Sequence, residues 1–123
     1  MRVRAFWFVL ISLVFGVATS SFANAEEMGW TFTSKYKYQV QVKLYSEDRR
    51  HVWPSKDTAW SLKDYASHTE KINCIRGEKI CYGAWATGNA SHYWGVGHGD
   101  QHNCDTCCAI CGSGNVAKTL VQK

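Results

Sequence analysis

The stretch Lys35-Tyr36-Lys37-Tyr38-Gln39-Val40-Gln41-Val42-Lys43-Leu44 alternates without a break. Tyr36, Tyr38, Val40, Val42 and Leu44 fall on one side, and Lys35, Lys37, Gln39, Gln41 and Lys43 on the other. Successive side chains of a strand point to opposite faces, so a two-residue period rich in aromatic and β-branched types predicts a strand over 35–44 with one wet face. Residues 46–50 then read as a polar turn, and His51-Val52-Trp53 as a short strand stopped by Pro54, the only proline of the chain. Residues 55–66 fit two periods. Ser55 would cap a helix carrying Ala59, Leu62 and Ala66, whereas Thr58, Trp60 and Leu62 fit a strand, which is the preferred reading.

From Glu70 to Gly97 the pattern predicts a three-stranded meander. Gly77-Glu78 supplies the central pair of a first hairpin turn, with Gly where φ must be positive, and Gly88-Asn89 supplies the second. That second register sets Trp85 opposite His92, Ala84 opposite Tyr93, Gly83 opposite Trp94 and Tyr82 opposite Gly95. Cys81, Trp85, Trp94 and Val96 would then share one face, and Ile80, Tyr82, Ala84 and Tyr93 the other. Both faces are apolar, so this region is expected to be the two-sided centre of the core. Val116 to Val121 would add a last edge strand. The fold class that follows is all-β: a small antiparallel β-sandwich or compact barrel stapled by disulfides.

The staples are Cys74, Cys81, Cys104, Cys107, Cys108 and Cys111. An even count in a short exported chain predicts three disulfides, with fifteen possible connectivities. The first hairpin register puts Cys74 opposite Cys81, within bridging distance, so a local Cys74–Cys81 bridge is feasible. The competing arrangement sends each of them to the cluster Cys104-Asp105-Thr106-Cys107-Cys108-Ala109-Ile110-Cys111. Four thiolates within eight residues lack the separated pairs of a structural zinc site, and a redox CxxC lacks its strand-then-helix setting. His98 and His102, just upstream, are the candidate ligands of a mixed Cys/His metal site.

The N-terminus has the three-part layout of a secretory signal. Arg2 and Arg4 precede an apolar run from Ala5 to Ala18, broken only by Ser12 and Gly16, and Ala23-Asn24-Ala25 offers small residues for cleavage after Ala25. The run is shorter than the roughly 20 residues of a membrane span. The expected domains are therefore a cleavable signal over 1–25 and a single disulfide-rich β domain over 26–123. Removing 25 of the 123 residues leaves 98. It also lowers the formal charge from +4 to +2, because two of the 14 basic residues leave and all ten acids stay. Scattered Lys and Arg at that balance argue against nucleic-acid binding, and no membrane span is expected after cleavage.

Gly95-Val96-Gly97-His98-Gly99 fails the dinucleotide-binding pattern, since Asp100 stands where the third glycine belongs. No nucleophile elbow is present, and Asp100 beside His98 and His102 is only a sparse acid–base grouping. Most of the tryptophans are needed as core. Trp30, near the mature N-terminus, and Trp53, beside Pro54, are the candidates for an exposed platform that binds sugar rings or a partner protein.

The run Cys74 to Trp85, followed by Trp94-Gly95-Val96-Gly97 and the CxxCCxxC cluster, resembles small exported cysteine-rich proteins of proteobacteria. The resemblance covers about the C-terminal half of the mature chain and implies an envelope or secreted setting, with no activity attached. The expected function is that of a secreted or periplasmic, non-catalytic binding module, without cofactor, for a protein or glycan partner outside the cytoplasm. The alternative is a metal-binding or thiol-active protein using the Cys104–Cys111 cluster with His98 and His102. A third reading, a small hydrolase of envelope polymers, requires Asp100 and a histidine to converge in a groove.

Overall fold

A computed structural model of the chain describes residue 16 and residues 24–122. The basic and apolar parts of the expected signal lie outside the described residues, apart from Gly16. The described chain is all-β and contains no α-helix. Nine strands follow in order: β1 Ala25–Ser34, β2 Val40–Ser46, β3 Val52–Trp53, β4 Trp60–Leu62, β5 Ser67–Ile75, β6 Lys79–Ala86, β7 Asn89–Gly95, β8 Cys108–Ile110 and β9 Val116–Leu120.

The strands form two sheets. The first has the order β5-β1-β9, and the second is built on β3-β2-β6-β7, with β4 also pairing β2 and β8 also pairing β6. Thus β2 shares one edge between β4 (at Val40–Val42) and β3 (at Leu44–Tyr45), and β6 shares one edge between β8 and β7. The core is assembled from the even-numbered residues of the long strands: Met28, Trp30 and Phe32 of β1, Val40, Val42 and Leu44 of β2, Ile72 of β5, and Ile80, Tyr82 and Ala84 of β6. This is the period-2 signature of strands with one face turned to a shared interior.

The departures from the sequence reading are local and have physical causes. β2 begins at Val40, not Lys35, because residues 35–39 form the connection from β1, where Lys35 N donates to Leu120 O. Its outward face is not wet either: Lys43 and Tyr45 are buried. The first predicted hairpin is a corner between sheets. β5 pairs with β1 and β6 with β2, and Glu78 N donates to Ile75 O across Arg76-Gly77, with Gly77 at φ +86°. Positive φ at the third turn position is the type II arrangement. With no β5–β6 ladder, Cys74 and Cys81 are not opposed.

The second hairpin exists with its register moved by one. Gly83 faces Gly95, Ala84 faces Trp94, and Trp85 faces Tyr93, with a bulge between Trp85 and Ala86. Its turn centres on Thr87-Gly88, with Gly88 at φ +80°. The shift puts Trp94 on the inner face with Ala84, and Trp85 on the outer face with Tyr93. Of the ambiguous 55–66 stretch, Trp60–Leu62 is a strand, as preferred. β9 closes the first sheet as an edge strand, but it runs parallel to β1.

All six cysteines are bridged: Cys74–Cys111, Cys81–Cys108 and Cys104–Cys107. The local Cys74–Cys81 bridge is therefore replaced by the competing arrangement. Cys81–Cys108 spans adjacent strands at paired positions, while Cys74–Cys111 joins the first sheet to the segment after β8 in the second. Three closed bridges and no free thiol are the pattern of proteins from oxidising compartments.

Candidate functional site

The Gly97–His102 loop is built first by glycine. After β7 the chain turns back over the outer face of the second sheet, where His102 N donates to Val96 O. A side chain at Gly83 would meet Gly97 O at 2.0 Å, so the absence of one lets the loop lie directly on β6. Tyr45 Oη accepts from Gly99 N at 2.9 Å. His102 stacks on Tyr93 at 3.7 Å with the rings 5° from parallel, and His98 meets Trp85 edge-on at 4.5 Å. The two histidines thus clasp the loop onto the cross-strand pair Trp85–Tyr93. The structure does not gather them with cysteines into a metal site. Among the described residues no group of three or more His, Cys, Asp or Glu side chains is placed to hold a metal ion.

The loop also carries Asp100, which has φ +55° and is the only described residue other than glycine with positive φ. Its carboxyl hydrogen-bonds that of Glu47 at the start of the β2–β3 turn. The Glu47 carboxyl is pushed up to about 7, first by withdrawal from water and then by Asp100, with Asp48 adding repulsion and Lys79 opposing it. Beside this pair lies a groove of about 600 Å³ that contains Asp100, Glu47, His51 and Lys56 on its walls. The histidine that shares a groove with Asp100 is therefore His51, not His98 or His102.

A larger open groove, about 840 Å³, lies on the other side of Arg49 and His51. One wall is β5 from Glu70 to Ile75, and the other is His51, Trp53, Pro54 and Trp60 from the second sheet. The two walls are tied by one bond, Trp53 Nε1 donating to Asn73 O at 3.1 Å. His51 packs edge-on against Trp53 at 4.6 Å, and the Arg49 guanidinium lies 5.6 Å from the same ring. Arg49 in turn is held by Glu78, whose carboxylate is 5% exposed. Burial pushes Glu78 upward, but the Arg49 guanidinium, the Ser46 hydroxyl and the Ile75 N–H together bring it below the ordinary carboxylate range.

Neither tryptophan expected at the surface is an exposed platform. Trp30 is fully buried at the centre of β1, stacked on Phe32, because its side chain faces the core and meets Tyr82 of the second sheet. Trp53 is 6% exposed and contributes to the groove wall. The half-buried ring at the groove is Trp60, hidden in sequence within the stretch whose period is ambiguous. Arg49 gave no signal beyond membership of a polar turn, and His51 none beyond the start of a short strand.

No family model matches the chain, and comparison with curated proteins and with solved structures finds no match either. Among the described residues no helix is long and apolar enough to cross a membrane.

Proposed function

We propose that the protein is an exported, non-catalytic binding module, secreted or periplasmic, that engages a partner outside the cytoplasm through the groove between β5 and Trp60. The groove itself carries this reading. It is an open concavity of about 840 Å³, it combines an aromatic wall with a polar one, and a disulfide at Cys74 fixes one side. Rigid walls lower the ordering cost of binding, which suits a recognition surface. The signal-like N-terminus and the closed cysteines support the location. A cut after Ala25 would shorten β1 by one residue and release the Asn24 carbonyl from Arg76 N.

Fractionation with intact-mass measurement, followed by co-sedimentation with isolated cell envelopes, tests the reading. The chain should be recovered outside the cytoplasm, beginning at Glu26, and should gain two hydrogens per bridge on reduction. Trp60→Ala should cut envelope binding at least tenfold at a temperature where the variant is still folded, as judged by its far-UV circular dichroism. Recovery in the cytoplasm, or binding unchanged by Trp60→Ala, would overturn it.

A further inference from the structure

We infer that the outer edge of β5 is a strand-addition site, taking an extended polypeptide segment that pairs with the backbone of Thr69 and Lys71. The inference deepens the binding-module reading and rests on it. In an antiparallel pair the main-chain groups of alternate residues point toward the partner strand and the remainder point away. Three contacts fix the parity here. Arg76 N donates inward to Asn24 O at 2.7 Å, continuing the β1–β5 ladder, so even-numbered residues face β1. Asn73 O accepts from Trp53 and Ile75 N donates to Glu78 Oε1 at 3.1 Å, so odd-numbered residues face outward.

The C-terminal end of this edge is therefore already capped by side chains from the second sheet. Further along, β5 has no strand neighbour beyond β1 among the described residues, and both Thr69 and Lys71 are exposed. Their N–H and C=O groups stand in a row with the alternating donor–acceptor spacing of about 6.8 Å per two residues that another extended main chain matches. A sugar has no such repeat. A segment lying there would extend the first sheet, and its inward side chains would rest against Trp60 and Pro54 across the groove. The partner class is thus an extended segment with alternating apolar side chains. Self-association is disfavoured, because a two-fold pairing centred on Lys71 sets like charges opposite each other.

Lys71→Pro gives a selective probe: it deletes an outward N–H that the native ladder does not use, while an edge strand tolerates proline. The ligand to titrate is a soluble octapeptide of alternating Thr and Val with terminal lysines, and its copy N-methylated on alternate residues. Amide shifts in the ¹⁵N-labelled protein should concentrate at Thr69, Lys71 and the Trp60 indole. Affinity should fall at least tenfold with Lys71→Pro and, independently of any folding defect, with the N-methylated peptide. Equal binding of both peptides, shifts elsewhere only, or no shifts would overturn strand addition, as would an edge filled by a second copy, seen as a dimer that Lys71→Pro dissociates. Trp60-dependent envelope binding that survives proteinase treatment of the envelopes would overturn it while leaving the module reading standing; loss of export or of Trp60 dependence would remove that reading itself.

Discussion

Glu78, a residue only 5% exposed, keeps its charge because four hydrogen bonds from three residues converge on its carboxylate: Ser46 Oγ donates to Oε2, the Ile75 N–H donates to Oε1, and Arg49 donates to both oxygens. Glu78 thereby locks the β2–β3 turn to the corner between the sheets. Glu78→Ala leaves a buried N–H and hydroxyl without their acceptor and should cost about 2–3 kcal/mol, read as a lower denaturant midpoint. Its native pKa lies below the free value of 4.5, so its contribution is present above pH 4.5 and disappears as acid titrates the native carboxylate. The variant's deficit should accordingly shrink in acid. Gly83 works by absence. A methyl group there would collide with the Gly97 carbonyl at 2.0 Å and with the Tyr45 ring at 2.9 Å, so Gly83→Ala should lower stability by about 2–3 kcal/mol, a fall of roughly 10 °C or more in Tm. A melt within 2 °C of wild type, on the scale expected for so small a domain, would mean the loop does not rest on β6.

At the scale of elements, the Gly97–His102 loop covers part of the outer face of the second sheet, over Tyr45, Gly83, Trp85 and Tyr93, while Lys43 on that face is tied to Lys56 O. The loop's tip places Asp100 beside the Glu47 carboxyl. Glu47 is raised from 4.5 to about 7, so the native state holds a proton that the unfolded chain releases. The contribution is complete below pH 4.5 and is lost as pH rises through about 7. Asp100→Asn should flatten the fall in stability between pH 5 and 8, measured by denaturant midpoints at both; an unchanged slope would dissociate the carboxyl pair from that fall. Little of this loop was legible in sequence. Alternation at Val40, Val42 and Leu44 marks the inward face of β2 correctly, because a single strand's period is a local property. The face assignment of Trp94 was not recoverable, because the irregularity between Ala86↔Asn89 and Trp85↔Tyr93 inserts three β7 residues, Ala90, Ser91 and His92, and an odd insertion reverses every face beyond it. The 74–81 stretch has hairpin chemistry in its turn, yet which strand each arm pairs with is decided by distant residues of β1 and β2.

Over the whole molecule the chain crosses from the first sheet to the second for β2–β4, returns for β5, crosses again for β6–β8, and comes back in β9 to run parallel to β1, and the bridges hold these crossings. Cys74–Cys111 closes a separation of 37 residues and links the two sheets, a constraint worth about 4 kcal/mol on chain-entropy grounds. Cys104–Cys107 closes only three and should contribute about 1.6 kcal/mol. Replacing Cys74 and Cys111 by Ser should therefore destabilise more than replacing Cys104 and Cys107, by about 2 kcal/mol in equilibrium unfolding. That the cysteines pair was evident from their number; which ones pair was not, because the two sheets bring Cys74 and Cys81 into separate ladders. The β5–Trp60 groove was likewise invisible, since its walls come from different sheets. Non-reducing peptide mapping of protein collected outside the cytoplasm, with fragmentation between Cys107 and Cys108, bears most directly on the whole account. It should return Cys74–Cys111, Cys81–Cys108 and Cys104–Cys107 with no reactive thiol; a Cys74–Cys81 cross-link, or free sulfhydryls in the folded protein, would contradict it.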